Sequence, residues 1–562
     1  MQVSWEFLPK EPERAKKLAN ALRIPTLIAQ LLLNRGLEDP VRAYHFLFPR
    51  LSDLHNPFLL KDMDRAVSRI AQAIVNGERI VIYGDYDVDG LTSTALIYHF
   101  LHGLTPHIDC YIPNRIHEGY GLNIEAVKRI ATKGFTLMIT TDCGISNCEE
   151  IAFARDLGLD VIVVDHHKVP SNPPPAYAII NPKQNDCPFP FKELAGVGVA
   201  FNLIIALRRY LKGNGAWDGG EIPNLKAYLD LVALGTIADI VPLIDENRIF
   251  VRHGLEVLKQ TERPGIKALK EISGLNHRLN CWDVAFRLSP RLNAAGRMGK
   301  AGLALRLLIS EDKEEAKSLA GKLNELNQER QRIEERIWRE ANRMVKETGH
   351  CVLANPQWHP GVIGIVAGRL TEAFNRPTIL ISLWQGQGRG SGRSPNGFNL
   401  YQALESCAPY LSSYGGHELA VGLKIMPENL ERFIRQFEQL VNSCGELNAQ
   451  RLYIDAEADF KEINLEFMRH LQLFEPYGLG NPEPTFCSKA LEVKQSIVNE
   501  RHLKLLVSQG SALFEATGPN SPYFHPLPKY IKLAFTPYQE NWRQIQLIKL
   551  RIRDISCLKT KI

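Results

Sequence analysis

Beyond Arg79 the chain alternates short runs of β-branched residues with helix-like segments, and that alternation leaves few folds open to it. The run "RIVIY" precedes "LTSTALIYHFL"; "FTLMITT" precedes a turn and "SNCEEIAFARDLG"; "DVIVVD" follows. Short strands separated by helices join through right-handed crossovers into a parallel sheet. Ligands of such sheets collect beyond the carboxyl ends of the strands. Ser146 and Glu149 read as a capping box for the helix after the second of these strands.

The strand ends carry the charge. The first ends in Asp85, Asp87 and Asp89 of "VIYGDYDVDG", the second in Asp142 of "TTDCG", and the third in Asp165, His166 and His167 of "VVDHHK". A helix-like stretch, "YLDLVALGTIADIVPL", delivers Asp239 just before the break at Pro242. A single Asp at a strand end is ordinarily a cap or turn residue, but four such pieces meeting at one sheet edge form a crevice of acids and imidazoles. Carboxylates this close repel and raise one another's pKa unless a cation sits among them. An EF-hand is excluded: Asp85, Asp87, Asp89 and Gly90 match its opening, but position twelve is Leu96 and the preceding segment is strand-like. Oxygen-rich sites with one or two imidazoles suit Mn²⁺ or Mg²⁺ rather than Zn²⁺ or copper. Two such ions sharing a carboxylate suit phosphoryl displacement by water.

At 562 residues the chain has room for several cores. The expected organisation is an N-terminal helical arm over 1–60, the sheet domain over 61–310, a long helix over 311–349, a second α/β domain over 350–448 and a small barrel over 449–562. The helix carries a narrow stripe of Ala316, Leu319, Leu323, Leu326, Ile333 and Ile337, interrupted by Arg330. It reads as a spacer between two halves of one molecule rather than a dimeric coiled coil, so a monomer is expected. In the second domain, "GRGSGRSPNG" (388–397) reads as an anion-binding loop between "PTILISL" and "FNLYQALESC", with glycines admitting phosphate close to the backbone.

Composition adds little except at the C-terminus. Residues 491–562 hold 11 Lys and Arg against 5 Asp and Glu, an excess of +6 against +5 for the whole chain, which leaves −1 for residues 1–490. That is the pattern of a polyanion-holding module attached to a neutral body. Ten cysteines without a C-x-x-C pair read as buried free thiols. The chain has no apolar stretch of membrane-spanning length and no basic-then-apolar leader at "MQVSWEFLPK", so no membrane association and a cytoplasmic location are expected.

"GDYDVDG", "TTDCG", "DHH" and "GTIAD", in this order, resemble the four motifs of the DHH phosphoesterase family. Together with "YIPNRIHEGYGLN", "SPRLNAAGRMG", "GRGSGRS", "GGHELAVG" and "FEPYGLGNPEPTF", the likeness extends from about residue 35 to 490 and points to that family's bacterial single-strand-specific DNA exonucleases. The resemblance implies an α/β fold: a parallel-sheet DHH domain joined by a long helix to a DHH-associated domain, plus a C-terminal OB-like β-barrel. It implies two divalent cations, Mn²⁺ or Mg²⁺, held by Asp87, Asp89, Asp142, His166 and Asp239, with Asp142 as the bridge and Asp85 bound directly or through water. His167 is implied as a contact to the scissile phosphate and Asp165 as a partner orienting an imidazole. Arg115, Ser391 and Arg393 would hold a 5′-terminal phosphate beside Arg389, with Arg291, Asn293, Arg297 and His417 as further DNA or phosphate contacts. Ser289 departs from the Gly of many relatives without touching a ligand position.

The implied activity is hydrolysis of single-stranded DNA from its 5′ end to 5′-mononucleotides, in DNA repair and recombination. A single-stranded-DNA-binding protein and a helicase are the implied partners. The barrel would track the strand, with Tyr523, Phe524, Tyr530, Phe535 and Trp542 as candidate stacking rings, most of them expected in the core. Two other readings remain at this point. A phosphodiesterase of small nucleotides would keep its affinity after deletion from about residue 450, and a scaffold with a decayed centre would release no mononucleotides.

Overall fold

Ile80, Val81, Ile82 and Tyr83 are fully buried, as a strand covered on both faces requires. They belong to β1 (Ile80–Gly84) of a five-stranded parallel sheet with β2 (Ile108–Tyr111), β3 (Leu137–Thr141), β4 (Asp160–Val164) and β5 (Ala178–Ile180), in the order β2-β1-β3-β4-β5. The three strands expected from the sequence are therefore neighbours. The edge strands β2 and β5 escape sequence reading because one holds the exposed Asp109 and the other has three residues after a proline run. α1 (Val88–His102) packs against α2 (Gly196–Gly213) and α3 (Leu229–Ala238). The expected capping box is absent: the helix Cys148–Asp156 starts after Asn147, whose side-chain amide instead exchanges hydrogen bonds of 3.3 Å with the backbone of Leu122.

This computed structural model describes residues 4–213, 223–275, 279–384, 386–444, 451–498, 502–519, 527–542 and 545–557. Two compact units emerge, one of His55–Asp239 and His253–Asn448, the other of Met1–Leu54, Ile240–Arg252 and Ala449–Ile562.

Within the larger unit, α4 (Ser289–Arg297) leads on to α5 (Lys313–Thr348). Asp312 caps α5 by accepting the Glu315 N–H at 2.6 Å, and Gly349 ends it at φ 71°. Arg330 does not break the buried stripe: it is 9 % exposed, donates to Asn327 at 2.8 Å and pairs with Glu334. Beyond it, Ile337 and Ala341 join Trp358, Val362, Val366 and Leu370 in the core of the second α/β domain. The helix thus has one foot in each half of its unit.

The second domain is a mixed sheet of β6 (Val352–Asn355), β7 (Thr378–Trp384), β8 (Gln387–Arg393), β9 (Leu411–His417) and β10 (Ala420–Ile425), ordered β9-β10-β8-β7-β6, with α6 (Ile363–Phe374) against it. This corrects one expectation. "GRGSGR" is no loop but the middle strand β8, paired along its length with β7 and β10. Its glycines recur with the period of a strand, so Gly388, Gly390 and Gly392 turn to the core while Arg389, Ser391 and Arg393 share the other face. A Cβ on Gly390 would lie 2.7 Å from Leu423 and 3.2 Å from Ile381. Gly390→Ala is accordingly expected to destabilise the protein by about 1–3 kcal/mol in chemical denaturation, and an unchanged midpoint would mean the strand is not packed this way.

The smaller unit closes β11 (Ala456–Ala458), β12 (Phe486–Ser488), β13 (Leu491–Val498), β14 (His502–Gln509), β15 (Ala512–Pro519), β16 (Tyr530–Trp542) and β17 (Ile545–Cys557) into a barrel ordered β11-β12-β16-β13-β14-β15-β17, with β16 also paired to β17. Phe535 is in its core, Tyr530 is 41 % exposed, and Tyr523, Phe524 and the Trp542 side chain lie outside the described residues. Leu18, Ile28, Leu31 and Leu32 of the N-terminal helices share one core with Phe460, Phe467, Phe486 and Phe535. The strand Ser4–Phe7 pairs with Arg451–Ile454, and Trp5 Nε1 donates to Asp554 at 2.6 Å. Arg248, 2 % exposed, lies 3.9 Å from the centre of the Phe46 ring. It donates to the carbonyls of Phe46 (2.9 Å), Phe474 (2.9 Å), Leu473 (2.8 Å) and Glu475 (3.1 Å). Among the described residues no helix is long and apolar enough to cross a membrane.

Candidate metal centre and the adjoining cleft

Each acid at a strand end is held by the sheet itself. The N–H of Asp85 bonds to Thr141 O (3.3 Å), that of Asp142 to Val164 O (2.9 Å) and that of Asp165 to Ile180 O (3.1 Å), so the last carbonyls of β3, β4 and β5 each fix the acid that follows the neighbouring strand. Asp142 takes a left-handed φ of 61°, a strained choice for a residue that is not glycine and one found most often at functional positions. Asp87 caps α1 through the Gly90 N–H at 3.1 Å, and Asp89 follows in the first turn. The two oxygens of Asp89 accept from Gly196 N (2.7 Å) and Val197 N (2.9 Å) at the start of α2. Gly196 is needed there, because a Cβ would come within 2.9 Å of Asp89 Oδ2 and 3.0 Å of Asp142. Asp239 caps the end of α3.

These side chains converge. Potential ligand atoms of Asp85, Asp87 and Asp142 lie within 4.8 Å of one another, as do those of Asp89, His166 and Asp239, and of Asp142, His166 and His167. His166 Nε2 is 3.2 Å from Asp142 Oδ1, 3.7 Å from Asp239 Oδ2 and 3.9 Å from Asp89 Oδ2. Four of these atoms, Asp85 Oδ1, Asp142 Oδ1, His166 Nε2 and Asp239 Oδ2, are buried without a hydrogen-bond partner. Buried polar groups rarely go unpaired. An oxygen-rich set with one imidazole, its free atoms aimed at a common space, fits a hard divalent cation.

The electrostatics agree. Burial, reinforced by neighbouring carboxylates, pushes Asp85 and Asp142 well above the carboxylate range, Asp89 up to about 7 and Asp239 up to about 9. Burial and the neighbouring His167 lower His166 to about 3, keeping it neutral. Its Nδ1 bonds to Leu194 O at 2.9 Å, which leaves Nε2 as the lone-pair nitrogen. Asp165 orients the other imidazole: its Oδ1 bonds to His167 Nδ1 at 2.7 Å and accepts the N–H groups of His166 and His167. That pairing outweighs desolvation, raising His167 to about 9 and lowering Asp165 to about 2.

Beside the centre, between the two α/β domains of the unit, opens a cleft of about 860 Å³. Asp165, His167, Arg115, Arg297, Arg389, Ser391, Arg393 and His417 line it, eight of the positions singled out in the sequence. The Arg115 guanidinium lies 4.9 Å from the centre of the Tyr86 ring, and Arg393 donates to Ser391 at 3.3 Å. Arg389 donates to Ile116 O at 2.7 Å, tying β8 to the Arg115 loop. Arg291 and Asn293 are not among its walls; Arg291 is bonded to Asn324 of α5 at 3.0 Å and to the carbonyl of Arg287.

Two features escaped sequence reading. The first turn of α6 abuts Ser391 so closely that a Cβ on Gly364 would be 2.8 Å from its Oγ, which brings a helix N-terminus to the cleft. Tyr120 places its hydroxyl 3.3 Å from both Asp142 O and His167 Nδ1. The signals were present in "HPGVIG" and "HEGYG", but only folding brings them beside β8 and the two histidines.

Comparison with known proteins agrees with this architecture. Residues 79–236 match the DHH family, N-terminal domain, residues 347–443 the DHHA1 domain and residues 454–554 the RecJ OB domain. The chain is 39 % identical to the single-stranded-DNA-specific exonuclease RecJ of Bacillus subtilis over 92 % of its own length, and spans 66 % of that protein. It is 39 % identical to RecJ of Salmonella typhimurium over 86 % of this chain and 87 % of that one. The crystal structure of Thermus thermophilus RecJ in complex with Mn²⁺ superposes with a TM-score of 0.86 at 31 % identity, covering 99 % of this chain and 80 % of that chain. The three family models match in succession along the chain, and the chain belongs to the RecJ family of DHH proteins.

Proposed function

We propose that this chain is a metal-dependent exonuclease that hydrolyses single-stranded DNA from the 5′ end, releasing 5′-mononucleotides in DNA repair and recombination. The observation that carries the reading is the convergence of four unpartnered buried atoms, of Asp85, Asp142, His166 and Asp239, beside a cleft walled by arginines. Asp85, Asp87, Asp89, Asp142, His166 and Asp239 would hold two divalent cations, Mn²⁺ or Mg²⁺, and Asp142, which belongs to two of the ligand groupings, would serve both. When bound, such cations lower the pKa of water and stabilise charge on a phosphoryl group.

The remaining roles belong to the chain. The His167 imidazole, charged and aimed by Asp165, faces the cleft and suits a scissile phosphate oxygen. Arg115, Ser391, Arg393 and the first turn of α6 receive the 5′ phosphate, with Arg389 bracing the Arg115 loop and Arg297 and His417 as further contacts. Arg291 and Asn293, away from the cleft walls, would meet DNA outside them. A slot between two packed domains of the larger unit favours a single strand over a duplex, and the barrel with its basic residues is a second element suited to binding the strand. A single-stranded-DNA-binding protein and a helicase are the partners such an enzyme calls for, since it needs an unwound strand. The enzyme works as a monomer in the cytoplasm.

End-labelled single strands and blunt duplexes, with and without a 5′ phosphate and with Mn²⁺ or Mg²⁺, test the reading. Mononucleotides should appear from the 5′ end of single strands only, and duplex cutting at a comparable rate, or release from the 3′ end, refutes it.

The ligand set also sets a pH dependence. Carboxylates whose folded pKa is raised contribute stability below the unfolded value, and this is lost as pH climbs through the folded one. For Asp89 and Asp239 that window runs from about pH 4 to about 7 and about 9. The protein in EDTA should therefore lose stability across it, and the rise in Tm on adding Mn²⁺ should be larger at about pH 8 than at about pH 5.5. Equal shifts at the two pH values, by scanning calorimetry, would count against a cation among these acids.

A further inference from the structure

The cleft continues beyond the residues proposed to hold the 5′ phosphate. Strand register lays its wall out in three rows: Arg393, Ala420 and His417; then Ser391, Gly422 and Gly415; then Arg389, Lys424 and Ser413. Val421, Leu423 and Ile425 turn to the core from the alternate positions of β10, so the three rows share the opposite face, and all but Ala420 line the cleft. Gly415 and Gly422 have open space where a Cβ would be, so no side chain rises between Ser391 and the outer row.

That outer row has spare cationic capacity. Lys424 and Ser413 are exposed, and neither side chain makes a hydrogen bond or ion pair among the described residues. One Arg389 nitrogen is committed to Ile116 O, while its side chain still lines the cleft, and His117 stands at the same end. Two residues along a strand cover about 6.6 Å, the reach of two further phosphate groups from one held at Ser391. Ammonium, guanidinium and hydroxyl groups suit phosphate oxygens, and none of Arg389, Lys424 and Ser413 carries a ring on which a base could stack.

We propose that Arg389, Lys424 and Ser413 form a second anion subsite for the β- and γ-phosphates of a 5′-triphosphate, so that the enzyme removes the terminal nucleotide of a triphosphorylated strand as an intact nucleoside triphosphate. This rests on the exonuclease reading above. Water adds to the phosphorus joining the first and second nucleotides, and the bond to the 3′ oxygen of the first breaks. That oxygen leaves with a proton, and the anhydride bonds stay intact. The products are a nucleoside 5′-triphosphate and a strand one nucleotide shorter with an ordinary 5′ phosphate.

The test uses the full chain with Mn²⁺ and single strands of one sequence bearing a 5′-hydroxyl, 5′-monophosphate or 5′-triphosphate, the first product being identified by ion-exchange chromatography. The triphosphate strand should be cut with a KM no higher than that of the monophosphate strand, giving nucleoside triphosphate. Lys424→Met should raise the KM of the triphosphate strand about tenfold while leaving the monophosphate strand within about twofold. The proposal is overturned if the triphosphate strand resists while the monophosphate strand is cut, if pyrophosphate is released, or if Lys424→Met slows all ends alike. If wild type cuts none of them, the exonuclease reading itself fails and takes this proposal with it.

Discussion

Asp142→Asn should leave a folded protein with less than about a thousandth of the wild-type rate on single-stranded DNA, a loss of at least about 4 kcal/mol of transition-state stabilisation. Among the described residues Asp142 is the only carboxylate shared by two of the ligand groupings, it sits 3.2 Å from His166 Nε2, and its strained backbone is clamped by Val164 O. Loss of activity alone would not separate a ligand from a structural acid, so the sign of the stability change matters. Removing a carboxylate from a buried, mutually repelling set should leave the Tm in EDTA unchanged or higher, and should abolish most of the rise given by Mn²⁺. A variant that unfolds in EDTA, or that keeps the full Mn²⁺ response, would show that the side chain serves the fold instead.

Arg248→Met should cost the smaller unit about 3–5 kcal/mol, the range seen when a buried charged group loses its partners or leaves them unpaired. Methionine fills much of the same volume but donates nothing, so the buried or partly buried carbonyls of Phe46, Leu473, Phe474 and Glu475 lose their shared donor. Chemical denaturation followed by Trp fluorescence reads the effect. A midpoint within experimental scatter of wild type would mean that those carbonyls find other donors.

The sequence exposed some of this more readily than the rest, for physical reasons. Asp85, Asp89, Asp142 and His166 follow buried β-branched runs, and a parallel sheet forces strand ends to one edge, so their meeting was legible from order alone. Asp239 was legible because Pro242 ends its helix nearby. β8 was misread because glycine has poor strand propensity, although the regular alternation of Gly with Arg and Ser carried a two-residue period. Arg330 looked like a break in a stripe because a one-dimensional pattern cannot show Asn327 and Glu334 meeting its charge. The role of Tyr120 depended on a contact across 47 positions, which no local signal encodes.

The contact between Trp5 and Asp554, 549 positions apart, has a bearing on how the protein is made. Leu18, Ile28 and Leu31 leave the ribosome long before Phe467, Phe486 and Phe535, the rings that cover them, have been translated. Until those rings follow, the apolar faces of these early helices stay uncovered in the nascent chain. For the same reason a chain cut short near residue 450 would report on aggregation before it reported on DNA, and charge-reversing substitutions on the barrel surface are the sounder probe of its role.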